Sequence, residues 1–146
     1  MKKLFSVLAI GSVLVLLAAA SARAQLPGTA IRASIPFDFV VKGRTLPAGN
    51  YEIIRVNDQS IDLLIRNVDH KRDDAMFETE PVYLRRTEGK DVLVFNRYGD
   101  TYFLSEVETG GEQTAREVYP SREERHMRRE MARNEGQPQS VTVTCN

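Results

Sequence analysis

Four arginines, Arg122, Arg125, Arg129 and Arg133, recur at spacings of three and four. On a helix, at about 100° per residue, they share a sector of roughly 80°. Arginine stays protonated and moves no proton at ordinary pH, so such a stripe offers charge rather than catalysis. It suits an electrostatic contact with an anionic partner: an envelope lipid, a cell-wall polymer or an acidic protein. An ordinary solvated helix face has the same pattern. The second candidate is "RYGDTY", where Arg97, Tyr98, Asp100 and Tyr102 surround a tight turn. Arginine and aromatic groups together grip sugar rings or a partner surface. The alternative packs Tyr102 into the core with Arg97 as its cross-strand neighbour. These eight residues are the candidate partner-binding set.

Catalytic chemistry has little to draw on. The two histidines are His70, in a polar loop, and His126, in the arginine-rich segment. A nucleophile needs a base beside it and a group that orients the base, and no such grouping is visible. "DHKRDD", Asp69 to Asp74, gathers carboxylates that suit calcium. Its spacing is not that of a calcium loop, and Lys71 and Arg72 interrupt it, so it reads as a solvated connection. No catalytic residue, metal site or cofactor is predicted. Cys145 is the single cysteine, so no internal disulfide forms. It is either a free thiol or a disulfide link between two copies.

Before these groups comes an address. Met1-Lys2-Lys3 precedes an apolar or small run from Leu4 to Ala20, and "SARA" follows with Ala22 and Ala24 in A-x-A positions. This predicts a signal peptide over 1–24, cut before Gln25, and export to the periplasm or beyond. An uncleaved anchor is the rival, but the run falls short of the ~20 residues of a spanning helix. Removing Lys2, Lys3 and Arg23 leaves 17 basic against 20 acidic residues. That balance argues against a nucleic-acid partner. Residues 25–146 make one domain, large enough for a single core.

The elements that must hold the candidates read as β-structure over about 30–109. Short β-branched or aromatic runs alternate with turn residues. Ile31, Ala33 and Ile35 alternate with polar residues until Pro36; Phe37, Phe39 and Val41 resume. "NYEIIRV" and "SIDLLIRN" make a hairpin, with Val56 opposite Ile61, Arg55 opposite Asp62 and Tyr51 opposite Arg66. This places Ile54, Val56, Ile61, Leu63 and Ile65 on one face. "DVLVFNRY" and "TYFLSEVE" turn at Gly99-Asp100, glycine first. Phe95 then faces Leu104, and Val92 faces Val107. Both faces of that hairpin are apolar, which predicts a central position. "VYLRR" is expected to pair with "DVLVF", Arg86 opposite Asp91. Ala75 to Glu80 supplies another strand, joined through Pro81.

"KGRTLPAG" reads as a corner, with proline second in a turn and glycine fourth, where a positive φ is easily accepted. After Thr109, Gly110-Gly111 opens a polar stretch. Ser121 and Glu124 form a capping-box pattern, and a helix over about 121–134 stops near Gly136. Met127 and Met131 lie nearly opposite the arginines, and the helix either docks through them or frays. Glu124–Arg128 and His126–Glu130 are expected pairs along it. Residues 141–144 make a possible last strand.

The chain resembles an uncharacterised family of small exported bacterial β-proteins. The likeness rests on Pro36, Phe37 and Phe39; on Leu46 to Gly49 with Tyr51; and on Tyr98 to Asp100, within about residues 30–130. It implies no activity, cofactor or partner. The expected fold is mainly β, a single antiparallel barrel-like or sandwich domain with a C-terminal charged helix. The expected function is a non-enzymatic exported protein that binds an envelope or extracellular partner. A hydrolase with a site assembled from scattered residues is the alternative.

Overall fold

The computed structural model describes residues 30–57, 60–70, 72–87 and 89–145. The expected signal peptide lies outside them. Among the described residues, ten strands and one helix follow in order: β1 (Ile31–Ile35), β2 (Phe39–Val41), β3 (Arg44–Leu46), β4 (Gly49–Arg55), β5 (Asp62–Asn67), β6 (Ala75–Tyr83), β7 (Val92–Tyr98), β8 (Thr101–Glu108), β9 (Thr114–Val118), α1 (Arg122–Arg133) and β10 (Gln139–Thr144). The strands form one mixed sheet that does not close into a barrel. Its main path runs β1-β4-β5-β6-β9-β8, continuing through β7 to β10. β2 pairs parallel to β8 at Val40 and Phe103, and carries β3 on its other side. The remaining pairings are antiparallel.

The alternation read from β1 is the burial pattern observed: Ile31, Ala33 and Ile35 are buried, Arg32 and Ser34 exposed. Phe39, Val41, Tyr51, Ile53, Leu63, Ile65, Phe77, Leu93, Phe95, Leu104 and Val107 join them in one cluster, with Val141 and Val143 of β10 packed against it. Strands from both ends of the path share this core, so the sheet curls around it. Full burial of such a side chain contributes about 1.5–3 kcal/mol. The ion pairs Arg32–Glu52 and Arg133–Glu130 have solvent-exposed arginines and are worth roughly 0–1 kcal/mol each. The core therefore holds the fold.

The corner is more built than a loop. Lys42 and Gly43 both have positive φ, 51° and 78°, which is the two-residue turn of a hairpin. β3 was not expected, and it pairs with β2 across that turn. Gly49 does not use positive φ, contrary to expectation; a Cβ there would come within 3.3 Å of Asn67 Nδ2. Tyr51 explains the rest of the corner. Its buried hydroxyl donates to the Pro47 carbonyl at 2.6 Å, and Asp38 Oδ1 accepts from Ala48 N at 2.8 Å.

Three pairings differ from expectation. The β4–β5 register is one residue over: Ile53 faces Ile65, Arg55 faces Leu63, and Tyr51 faces Asn67. Val56 and Ile61 are about half exposed at the hairpin end. The expected register favoured a five-residue apolar set, but buried Tyr51 and Asn67 set the other one. The β7–β8 turn and the Phe95–Leu104 pair are as expected, with positive φ at Gly99. A bulge between Val94 and Phe95 then pairs Leu93, not Val92, with Val107. Lastly, "VYLRR" does not pair with β7. β7 takes β10, and the end of β6 takes β9, a strand within the stretch expected to be a polar connection. Pro81 lies inside β6, past Glu78, where the pairing with β5 ends. With a partner on one side only, a missing N–H is tolerated there.

Candidate functional site

α1 begins where its cap requires. Ser121 Oγ accepts from Glu124 N at 3.1 Å, satisfying one free donor of the first turn. It ends with Gly136 N bonded to Met131 O and Glu135 N to Ala132 O, the paired closure of a Schellman motif. Glu135 takes the left-handed position, φ 56°. Met127 and Met131 pack on Val40, Tyr98 and Phe103, so the helix docks on the outer face of β2, β8 and β7.

Glu124 does not complete the capping box by turning back to the cap. Its side chain turns into the helix–sheet interface and is 3% exposed. There it accepts from Asn96 Nδ2 at 3.0 Å and, weakly, from the Tyr98 hydroxyl at 3.5 Å. Arg128 stands 3.9 Å away, as the i,i+4 spacing predicts. Burial pushes the Tyr98 phenol up, against the favourable contact with Arg128. Glu130 pairs with Arg133 at 3.1 Å rather than with His126.

Docked this way, the arginine stripe faces outward and forms one wall of an open groove of about 790 Å³. Arg122, Arg125, His126 and Arg129 line it from α1. Lys42 and Gly43 line it from the β2–β3 turn, and Tyr119, Pro120 and Ser121 from the approach to the helix. Arg125 Nη1 donates to Pro120 O at 2.7 Å and Arg129 Nε to Arg125 O at 3.2 Å. Those bonds orient the guanidinium groups and leave their charge unpaired by any carboxylate among the described residues. The groove thus gathers four permanent cations, with Glu123 as its single acidic lining residue. Arg133, a turn further on, is spent on Glu130 and lies outside it.

Beside the groove runs the opposite charge. Glu80 faces Glu117 across β6–β9, and Glu117 faces Glu106 across β9–β8. Glu78 is two residues from Glu80 on the same exposed face and reaches Lys42 at 3.9 Å. Burial, and then the charges of Glu108 and Glu117, hold the Glu106 carboxyl above its usual range. Tyr119 lies on the boundary. It lines the groove and donates to Glu80 Oε2 at 3.2 Å, and that bond, with the Glu80 charge, raises its pKa.

The "RYGDTY" tip is largely satisfied within the fold. Tyr102 stacks on Phe37 at 4.0 Å, and Arg97 sits over the Tyr102 ring as its cross-strand neighbour. Arg97 also donates to Gly99 O at 2.7 Å and stands 3.6 Å from Asp100. Tyr98 is 2% exposed beneath α1 and offers no surface. Cys145 is buried at the core edge, and burial pushes its thiol up to about 11. His70 is in an exposed turn whose backbone N–H bonds Asn67 Oδ1, remote in sequence from the groove.

Sequence reasoning found three of the groove's cations and missed Lys42, Tyr119 and the acidic row. Lys42-Gly43 carried a usable signal, since a lysine before glycine between strands sets it in a turn. The row carried none, because Glu106 and Glu117 meet only through β9. A scan against protein-family models and searches of curated proteins and of solved structures found no match to this chain.

Proposed function

We propose that this is an exported, non-enzymatic binding protein whose groove takes an anionic partner. The supporting observation is the convergence of Lys42, Arg122, Arg125 and Arg129 on one open groove from two separate elements. Lys42 holds a left-handed conformation that a lysine rarely adopts. The hairpin turn that requires it places a cation across from the helix. The arginines give charge-assisted hydrogen bonds to carboxylate or phosphate. The pattern favours recognition over turnover, because the lining is dominated by arginines, which stay protonated and move no proton at ordinary pH.

Poly-glutamate is a suitable probe, since it presents carboxylates without other chemistry. Binding is expected at low salt and is expected to weaken steeply as salt rises. Exposed charge contacts are worth roughly 0.2–1 kcal/mol each, so R122Q/R125Q/R129Q is expected to lose about three- to 150-fold in affinity. Unchanged affinity in that variant would refute the reading.

A further inference from the structure

We infer that the anionic partner of the groove is a second copy of this chain, docked about a twofold axis beside Tyr119. Each copy's α1 arginines then lie over the other's Glu80–Glu117–Glu106 row. This rests on the reading of the groove as an anion site. The row is the first reason. Like charges directly opposite across a sheet are destabilising, yet three carboxylates stand in register here. Among the described residues no cation pairs with Glu80, Glu106 or Glu117. The raised Glu106 carboxyl is consistent with that crowding.

The layout is the second reason. An isologous contact needs a surface that is complementary to itself under a twofold rotation. Adjacent patches of opposite charge meet that condition. Tyr119 joins the two, lining the groove on one side and holding Glu80 on the other. It is 43% exposed, an aromatic with a polar tip of the kind that anchors interfaces. Arg122, Arg125 and Arg129 match the three carboxylates in number. A polyanion or an anionic membrane satisfies the groove but leaves the carboxylate row alongside it uncompensated. A second copy pairs both patches at once.

Sedimentation velocity tests this on the full exported chain, with far-UV circular dichroism confirming that each variant is folded. Wild type is expected to dimerise at about 20 mM salt and to dissociate at about 0.5 M, where the Debye length drops several-fold. E80K/E117K and R125E/R129E are each expected to be monomeric at low salt. Their equimolar mixture is expected to form heterodimers, because both reversed patches then meet opposite charge. A wild type that stays monomeric at low salt overturns the pairing, as does a mixture of folded variants that fails to associate. Poly-glutamate separates the two levels of failure. If monomeric wild type binds it, only the pairing falls; if it does not, the reading of the groove falls as well.

Discussion

Replacing Glu124 by alanine removes the acceptor that Asn96 uses at 3.0 Å in the helix–sheet interface. A buried polar group left without a partner costs about 1–3 kcal/mol. The Tyr98 contact, at 3.5 Å, adds little. Glu124 is also the third residue of α1, where a negative charge gains about 0.3–1 kcal/mol from the helix dipole. Together these give a loss of about 1–4 kcal/mol for Glu124→Ala. Glu124→Gln keeps an acceptor for Asn96 and loses the dipole term and the long contact with Arg128, so about 1 kcal/mol is expected. Urea denaturation at neutral pH separates the two, with the midpoint moving and the slope unchanged. A double-mutant cycle with Asn96→Ala should recover a coupling of about 1 kcal/mol. If Glu124→Gln cost as much as Glu124→Ala, the charge rather than the acceptor would matter. If neither cost 0.5 kcal/mol or more, roughly the least a lost buried bond costs, the interface reasoning would fail.

Glu135→Gly should stabilise the domain by roughly 0.5–1 kcal/mol, because glycine adopts the left-handed position at little cost; thermal melts against Glu135→Ala check it, alanine giving no such gain. Glu106 binds its proton more tightly folded than unfolded, through burial and then Glu108 and Glu117. Its contribution to stability is therefore present below the ordinary carboxylate pKa and lost as pH rises through the raised value. Glu106→Gln should flatten that decline and raise stability at neutral pH, as read by denaturation from acid to neutral pH. The Cys145 thiol, pushed up to about 11 by burial, holds about a hundredfold less thiolate at pH 8 than an ordinary cysteine. Thiol labelling should be slow in buffer and fast in urea, and rapid labelling of the native protein would contradict the burial of β10's end.

Local chemistry makes several elements legible in the sequence. The turn at Gly99-Asp100 needs a glycine first, and the chain places one there. Ser121 with Glu124, then Met127 and Met131 opposite four arginines, mark α1 to within a residue at each end. In each case the residues that decide the outcome are neighbours in the chain. Where two registers buried comparable apolar sets, the sequence favoured the wrong one: Ile54, Val56 and Ile61 outweighed Tyr51 and Asn67. The burial of an asparagine and a tyrosine depends on partners, Asp69 N and the Pro47 carbonyl, that are not evident from hydrophobic alternation.

The sequence by itself determined most of the strands but not β3 or β9, the charged face of α1, and the turn at Gly99-Asp100. Each follows from backbone preference and side-chain period within a few residues. Tertiary structure decided which strands meet. It set β10 beside β7, and inserted β9 between β6 and β8, aligning Glu80, Glu117 and Glu106. It turned Glu124 inward and brought Lys42 across from Arg122, Arg125 and Arg129. Those outcomes depend on contacts between residues tens of positions apart, whose free energy comes from shared burial. A local pattern carries no record of that burial, so the charged stripe is visible in the sequence and the groove only in the folded chain.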